Sequence, residues 1–144
     1  MKILNEMKLT VDSHSVNEGF SRVAVAAFFS QLDPTIEEVN DIKTAVSEAV
    51  TNCIVHAYPD SVGKIYISAL INDKDEIRIK IRDRGVGISD IKKAMEPLYS
   101  SLGGERAGLG FAVMESFTDK VTVRSAPGKG TTVTLIKKII GRNE

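Results

Sequence analysis

Two pairs of short β-rich segments constrain the fold of this sequence more than any other feature. The segments at 64–71 and 76–82 flank the turn "NDKD", and those at 120–125 and 131–136 flank "APGKG". Segments rich in Ile, Val and Thr that are separated by a few turn residues are typical of β-hairpins. Because strands joined by short turns run antiparallel, we expect the chain to build a largely antiparallel sheet.

The first half of the chain predicts one strand followed by two helices. Residues 3–11 alternate loosely between apolar and polar side chains, which predicts the strand. Apolar residues then recur at helical spacing over residues 16–32 and again over residues 36–56. The second helix is preceded by a capping box, in which Thr35 stands three residues before Glu38.

The stretch from Gly85 to Gly110 differs in composition from its surroundings. Seven of its 26 residues are glycine or proline, and its aliphatic periodicity is weak. Loops of this length are usually functional, so we expect a mobile functional segment here. A short helix is predicted at 111–117, directly after it. The element order predicts one domain over residues 1–144, an α+β two-layer sandwich with helices on one face of a mixed, mostly antiparallel sheet.

Composition and charge narrow the classes of function. The chain has 144 residues, of which 42% are hydrophobic and 26% charged, as expected of one folded domain. Its 19 basic and 19 acidic residues cancel, so we expect neither nucleic acid nor a membrane as a direct partner. The single cysteine, Cys53, cannot form an internal disulfide. This, and the lack of a signal peptide pattern, favours the cytoplasm.

A glutamate and an asparagine interrupt the apolar pattern of the second helix. Glu48 and Asn52 are four residues apart, which places them one turn apart on the same helical face. A buried carboxylate and amide are costly unless they hold something. An amide oxygen suits Mg²⁺, and a carboxylate can take a proton from a hydroxyl or a water that attacks a phosphate. Alternatively both face solvent, or Asn52 bonds to a loop.

The second strand of the first hairpin ends in the motif "DRGVG". Asp83 stands at the strand end, and Gly85 and Gly87 follow it. Glycines let the backbone turn tightly and approach a ligand closely. The carboxylate at that position can accept a hydrogen bond from an exocyclic amine. A plain surface turn with an exposed aspartate is the alternative interpretation.

Two further motifs adjoin the third helix and the last strand. In "RAGLGFAVM", Gly108 and Gly110 open a helix whose free N–H groups suit phosphate, and Arg106 is placed to meet a phosphate oxygen. In "GKGTTVTL", Thr131 or Thr132 is placed to offer a hydroxyl to a base edge. A glycine-rich helix start and an ordinary hairpin turn are the respective alternatives. The P-loop string G-x-x-x-x-G-K-[ST] is absent.

In this order, the four motifs resemble the N, G1, G2 and G3 boxes of the Bergerat-fold ATPases. The resemblance covers residues 36–137 and consists of E-x-x-x-N, D-x-G-x-G, G-x-G and G-T-T in that sequence. From its 144 residues we expect neither further domains nor a dimerising phospho-acceptor helix pair. Together with the strings "QLDPTIEEVNDIKTAVSEAVTNCIVHAY" and "GLGFAVMESFTDKVTV", this makes the chain similar to the small serine-kinase anti-sigma factors.

The resemblance implies an activity and a set of partners. Members of this family bind ATP with Mg²⁺, form homodimers, hold a sporulation sigma factor inactive, and phosphorylate a serine of a small anti-anti-sigma protein. The implied enzyme is a protein serine/threonine kinase that converts ATP to ADP. The stress-response branch of the same family is the nearest alternative. A non-catalytic, ATP-dependent sigma-binding module and a water-directed ATPase also stay open, because one nucleotide pocket would serve all of them.

The resemblance also implies roles for single residues. Asn52 would bind Mg²⁺, and Glu48 would act as the catalytic base. The adenine end would consist of a carboxylate that accepts the amine and of residues beside the base: Asp83, Gly85, Gly87 and Thr132. The phosphate end would consist of residues that approach the triphosphate: Arg106, Gly108 and Gly110.

Three further expectations concern the surroundings of that site. The resemblance implies that Arg22 is the residue of the first helix that contacts the partners, whereas the residues alone favour an ordinary solvated helix charge. His56 is interpreted as closing the C-terminus of the second helix, where positive charge is favoured. The loop from about residue 95 to residue 107 would close over the triphosphate and open for release.

Overall fold

A computed structural model describes residues 1–88, 90 and 110–142 of the chain. The strands described are β1 Ile3–Asp12, β2 Lys64–Asn72, β3 Glu76–Asp83, β4 Lys120–Ser125 and β5 Thr131–Lys138. The α-helices described are α1 Val16–Phe29, α2 Ile36–Asn52 and α3 Phe111–Phe117. A 3₁₀ turn, Ser30–Leu32, extends α1, and a π-helical turn, Cys53–Ala57, extends α2. Every strand and helix expected from the sequence is therefore present, and none of the described helices is long and apolar enough to cross a membrane.

The five strands form one sheet in the order β1-β2-β3-β5-β4. Both predicted hairpins, β2–β3 and β4–β5, are confirmed. All four pairings among the described strands are antiparallel, so the sheet has no parallel pair within that part of the chain. Between β1 and β2 the chain runs out along one helix and back along the next, which returns it antiparallel to β1. The fold is the expected α+β sandwich.

The core lies between the helices and one face of the sheet. On β2 and β3 every second residue is buried, and their register places Ile67 opposite Ile81 and Ala69 opposite Ile79. On β5, Val133 pairs with Ile81 and continues the same buried face. Tyr66, Ser68 and Leu70, which alternate with the buried residues of β2, are only half-buried and lie on the face away from the helices.

Part of the apolar periodicity over residues 16–32 falls on positions of α1 that remain exposed. Val16, Phe20 and Val23 are 76%, 54% and 53% exposed. The helix instead packs through Val25 and Phe29, both fully buried. Apolar periodicity therefore identified the helix correctly, but it left open which side of α1 meets α2 and the sheet.

Helix α2 begins at the capping box that the sequence predicts. The Thr35 hydroxyl accepts a hydrogen bond from the Glu38 N–H at 3.1 Å, and the Glu38 carboxylate accepts one from the Thr35 N–H at 2.9 Å. The helix buries one stripe: Ile42, Ala45, Val46, Ala49 and Val50. This fixes the rotation of α2 about its axis and holds Glu48 and Asn52 half-buried beside that stripe.

Candidate functional site

A cleft opens where the end of α2 meets the ends of β3 and β5 and the start of α3. Its walls carry apolar side chains: Ala49, Ala57, Ile81, Ile88, Phe111 and Val133. Its polar groups come from the end of α2, from the end of β3 and from the start of β5: Asn52, Cys53, His56, Asp83 and Thr131. A mostly apolar cleft with a few convergent polar groups is the usual form of a small-molecule site.

Asp83 is the most constrained polar group of the cleft. It is 4% exposed, and burial raises the pKa of its carboxyl group above the ordinary aspartate range. Its Oδ1 accepts hydrogen bonds from the N–H groups of Gly85 at 3.0 Å and Thr131 at 3.1 Å. Its Oδ2 lies 3.5 Å from the sulfur of Cys53. Two backbone donors thus fix one oxygen, and the other remains to accept from a ligand.

The turn after β3 requires its two glycines. The Val86 N–H donates to the Ala57 carbonyl at 3.0 Å, which draws the turn against the end of α2. A Cβ atom at Gly85 would overlap that same carbonyl group. Gly87 has φ +76° and lines the cleft, and a Cβ atom there would overlap the Ala126 carbonyl. The motif "DRGVG" is therefore more than a plain surface turn.

Glu48 and the start of α3 lie against each other. Gly110, with φ +73°, precedes α3, and a Cβ atom at this position would overlap the Glu48 carboxylate. Burial, and to a lesser degree the negative charge of Glu18, raises the pKa of Glu48. A half-buried carboxylate with a raised pKa is better matched to proton transfer near neutral pH than a solvated one.

The structure corrects the placement of Thr132. Thr131 lines the cleft, and its N–H reaches Asp83. Thr132 pairs with Arg82 on one side and Arg124 on the other, on the face of the sheet away from the helices. Neighbouring strand residues point to opposite faces, so an error of one residue in phase places the hydroxyl on the wrong side. The threonine beside the cleft is Thr131.

Two predicted site residues, Arg106 and Gly108, lie outside the described residues, as does the expected lid at 95–107. His56 stands in the last turn of the π-helical extension of α2, as expected, and it also lines the cleft. Because His56 lies one helical turn after Asn52, its position in the cleft could have been predicted from the sequence.

Cys53 belongs to the site although sequence reasoning gave it no role there. It is 3% exposed, and its sulfur lies 3.5 Å from both the Ala49 carbonyl and Asp83 Oδ2. Burial and the neighbouring Asp83 carboxylate raise the pKa of the thiol well above its ordinary value, so Cys53 stays protonated. The only feature of the sequence that could have indicated this position in the cleft is that Cys53 directly follows Asn52.

Arg22 lies on α1, at the rim of a separate open groove between α1 and α2. Its Nη1 forms an ion pair with Glu18 Oε2 at 2.9 Å, and its side chain is 43% exposed. Arg22, Lys43 and Glu48 line this groove. Arg22 therefore lies at the rim of the same groove that Glu48 lines.

These residues suit a nucleotide with a divalent cation. The paired hydrogen bonds to Asp83 Oδ1 leave Oδ2 as an acceptor for an exocyclic amine, and the apolar walls suit a flat base. Asn52 brings a neutral oxygen ligand of the kind that Mg²⁺ takes together with phosphate oxygens and water. Within the described residues there is no cluster of three His, Cys, Asp or Glu that would hold a metal alone.

Comparison with known proteins identifies the class. The family described as "Histidine kinase-like ATPase domain" matches residues 12–137, and an ATPase domain of this class binds nucleotide. A protein of Caldanaerobacter subterraneus named "Anti-sigma F factor" is 56% identical over 144 residues, covering 99% of both chains. A protein of the same name from Clostridium acetobutylicum is 53% identical over 135 residues, covering 93% of this chain and 94% of its own. The chain belongs to the anti-sigma F factor family.

Solved structures agree on the fold. The crystal structure of the RsbU and RsbW domains of Rv1364c from Mycobacterium tuberculosis matches 94% of this chain with a TM-score of 0.70 at 20% identity. This chain spans about a third of that one, 32% of its length. The histidine kinase domain of the blue-light activated histidine kinase EL346 from Erythrobacter litoralis matches 85% of this chain with a TM-score of 0.57 at 18% identity.

Proposed function

We propose that this protein is an ATP-dependent anti-sigma kinase. It binds and inhibits a sporulation sigma factor of RNA polymerase, and it phosphorylates a serine of an anti-anti-sigma protein. The observation that carries the proposal is the position of Glu48, a half-buried carboxylate one helical turn from Asn52 and in contact with Gly110. Pure nucleotide binding has no need of a carboxylate there. The relatives named "Anti-sigma F factor" support the sigma factor as the partner.

At the adenine end, Asp83 Oδ2 accepts the exocyclic amine of the base. Gly87 lets the backbone come close to the ring, and Gly85 lets the same turn pack on the end of α2. Thr131 lines the cleft at the start of β5, and its N–H donates to the Asp83 carboxylate. The apolar walls cover the faces of the base. This end sets nucleotide identity.

At the phosphate end, Asn52 would hold Mg²⁺, which when bound would supply positive charge to the phosphates. Gly110 brings backbone close to the phosphates at the start of α3. Gly108 and Arg106 lie outside the described residues, and their assignment to the phosphates rests on the sequence motif alone. Glu48 adjoins both Asn52 and Gly110, so its carboxylate is at the right end of the cleft to meet an incoming hydroxyl.

Phosphoryl transfer then needs one proton acceptor. The serine oxygen attacks the γ-phosphorus, its proton passes to the Glu48 carboxylate, and the bond to the β–γ bridging oxygen breaks to release ADP. The raised pKa of Glu48 favours this proton transfer. The groove lined by Arg22, Lys43 and Glu48 gives a protein substrate a route to the carboxylate, and Arg22 contacts the partners there.

The protein acts in the cytoplasm as a homodimer.

The test is phosphoryl transfer from labelled ATP to a candidate anti-anti-sigma protein in the presence of Mg²⁺, followed by mapping of the modified residue. Glu48→Gln should lower the transfer rate by about 10²- to 10⁴-fold, the usual contribution of a general base. Its affinity for ATP should change little, because the adenine and Mg²⁺ ligands are intact. Glu37→Gln, an exposed change on the same helix, is the matched control and should transfer at the wild-type rate.

Three results would redirect the proposal. Wild-type transfer by Glu48→Gln would remove the base assignment. Rapid ATP turnover without a protein acceptor would favour a water-directed ATPase. Tight ATP-dependent binding of a sigma factor with no modified serine would favour a non-catalytic binding module.

A further inference from the structure

The floor of the cleft holds a thiol between two acceptors. The sulfur of Cys53 lies 3.5 Å from Asp83 Oδ2 and 3.5 Å from the carbonyl oxygen of Ala49. A thiol carries one hydrogen, so it donates to one of these oxygens at a time.

The other oxygen of Asp83 is already fixed. Oδ1 accepts from the N–H groups of Gly85 and Thr131, which belong to the turn after β3 and to the start of β5. The S–H of Cys53 approaches Oδ2 from α2. Donors from three elements therefore converge on one carboxylate and restrict rotation of its plane about the Cβ–Cγ bond.

We propose that Cys53 is a positioning residue for purine recognition, and that its S–H orients Asp83 Oδ2 toward the exocyclic amine of a 6-aminopurine. The inference rests on the proposed function, because it requires adenine to bind at Asp83. Cys53 acts through the carboxylate and not by a hydrogen bond to the amine. A carboxylate oxygen has two lone-pair sites, so Oδ2 can accept from the S–H of Cys53 and from the amine at the same time.

The competing interpretation is that Cys53 only fills space. Free cysteine often behaves as a small buried hydrophobe. Alanine and serine separate the two interpretations, because they are nearly equal in volume and differ in a hydrogen-bond donor. A packing role predicts that both substitutions act alike. A positioning role predicts that serine retains what alanine loses.

The experiment measures dissociation constants for two nucleotides with Mg²⁺ in the wild type, Cys53→Ala and Cys53→Ser. The nucleotides are ATP and purine riboside triphosphate, which lacks only the 6-amino group. The ratio of the two constants isolates recognition of the amine, because loss of packing weakens both ligands alike. We expect alanine to lower the preference for ATP by about three- to tenfold, the effect of one hydrogen bond, and serine to retain it.

Coupling to Asp83 gives the second readout. In an Asp83→Asn background, Cys53→Ala should leave the ratio unchanged, since the group through which the thiol acts is gone. Should alanine perturb folding, Cys53→Val fills the space without a donor and gives the same comparison with serine. Thermal unfolding of each variant checks that the fold persists.

The outcomes are distinguishable. Equal ratios in the wild type, the alanine variant and the serine variant would overturn the role of Cys53 and leave the adenine site in place. A wild type that binds ATP and the amine-free analogue equally well would overturn the adenine assignment, and this inference with it. A lowered ratio in alanine alone supports both.

Discussion

At the scale of single residues, Asp83 divides its two oxygens between two tasks. Oδ1 ties the turn after β3 to the start of β5 through two backbone N–H groups. Oδ2 lies 3.5 Å from the sulfur of Cys53 and is the oxygen that we propose accepts from the ligand. The consequence is that a substitution can remove one task and retain the other.

Asp83→Asn is the substitution that separates them. The asparagine oxygen can still accept from Gly85 and Thr131, but an NH₂ group replaces Oδ2 and meets the adenine amine donor to donor. ATP affinity should fall by about 10- to 100-fold, as expected when a charge-assisted hydrogen bond is lost in a buried site. Isothermal titration calorimetry measures this. Asp60→Asn, in an exposed loop, should bind ATP like the wild type, and unchanged affinity in Asp83→Asn would refute the adenine assignment.

Residue types and spacing predicted most residues of the proposed site but not all of them. Glu48, Asn52, Asp83 and Gly87 could be selected from the sequence because each is a polar residue or a glycine where an ordinary core would place neither. The choice between Thr131 and Thr132 depends on the phase of β5, which "GTTVT" leaves ambiguous by one residue. Cys53 was not predicted as a site residue, because a cysteine on a buried helical face is expected to be an ordinary core residue. Its contact with Asp83 becomes visible only in the folded structure.

At the scale of elements, the contact between α2 and the start of α3 links the proposed base to the chain that precedes α3. Gly110 adopts a left-handed conformation and has no side chain to keep it from the Glu48 carboxylate. The proposed phosphate-binding backbone and the proposed base therefore share one packing contact. Any side chain at this glycine has to displace one of the two.

Gly110→Ala should therefore lower both stability and activity. We expect the free energy of unfolding to fall by about 1–3 kcal/mol from backbone strain and from the displaced carboxylate. Phosphoryl transfer should fall as well, because Glu48 is displaced. Gly19→Ala is the control, since nothing lies within 4 Å of the added Cβ in α1, and it should raise stability by about 0.5–1 kcal/mol. Urea unfolding and the transfer assay report the two effects. A Gly110→Ala protein with wild-type transfer would show that Glu48 does not depend on this contact.

The elements themselves were largely predictable from local patterns. The two hairpins and all three helices follow from alternation, helical spacing, turn residues and the Thr35 capping box. The buried face of α1 did not follow, because Val16, Phe20 and Val23 belong to the apolar periodicity and yet remain exposed. Nor did the π-helical turn at Cys53–Ala57 follow, because it depends on packing of the last turn of α2 against the turn after β3.

At the scale of the whole molecule, Glu38 joins the beginning of α2 to the chain after β5. Besides capping the helix, its carboxylate accepts the N–H groups of Ile140 at 2.7 Å and Gly141 at 3.0 Å. Burial raises the pKa of Glu38, but the hydrogen bonds from Thr35, Ile140 and Gly141 outweigh it and leave the pKa below its ordinary value. The Glu38 carboxylate thus links the start of α2 to residues that are 102 and 103 positions further along the chain.

Glu38→Gln should reduce stability at neutral pH and much less in acid. One oxygen becomes a donor that faces backbone N–H groups, which costs about 1–3 kcal/mol. Because the pKa of Glu38 is lower in the folded state than in the unfolded state, its stabilisation is present above the unfolded pKa. It is lost as the pH falls through the folded pKa. Urea unfolding across the acid range should show the wild-type and variant curves converging. Glu37→Gln, one residue away and exposed, should show no such pH-dependent difference.

The double duty of Asp83 bears on how distant sequences of this fold should be interpreted. A descendant that no longer bound ATP would still need an oxygen to tie the turn to the last strand, so selection on folding alone would retain Asp or Asn there. An aspartate aligned at this position is therefore weak evidence for a functional nucleotide site. Replacement of this aspartate by asparagine, with the two following glycines retained, would indicate a lineage that has kept the fold and lost ATP binding.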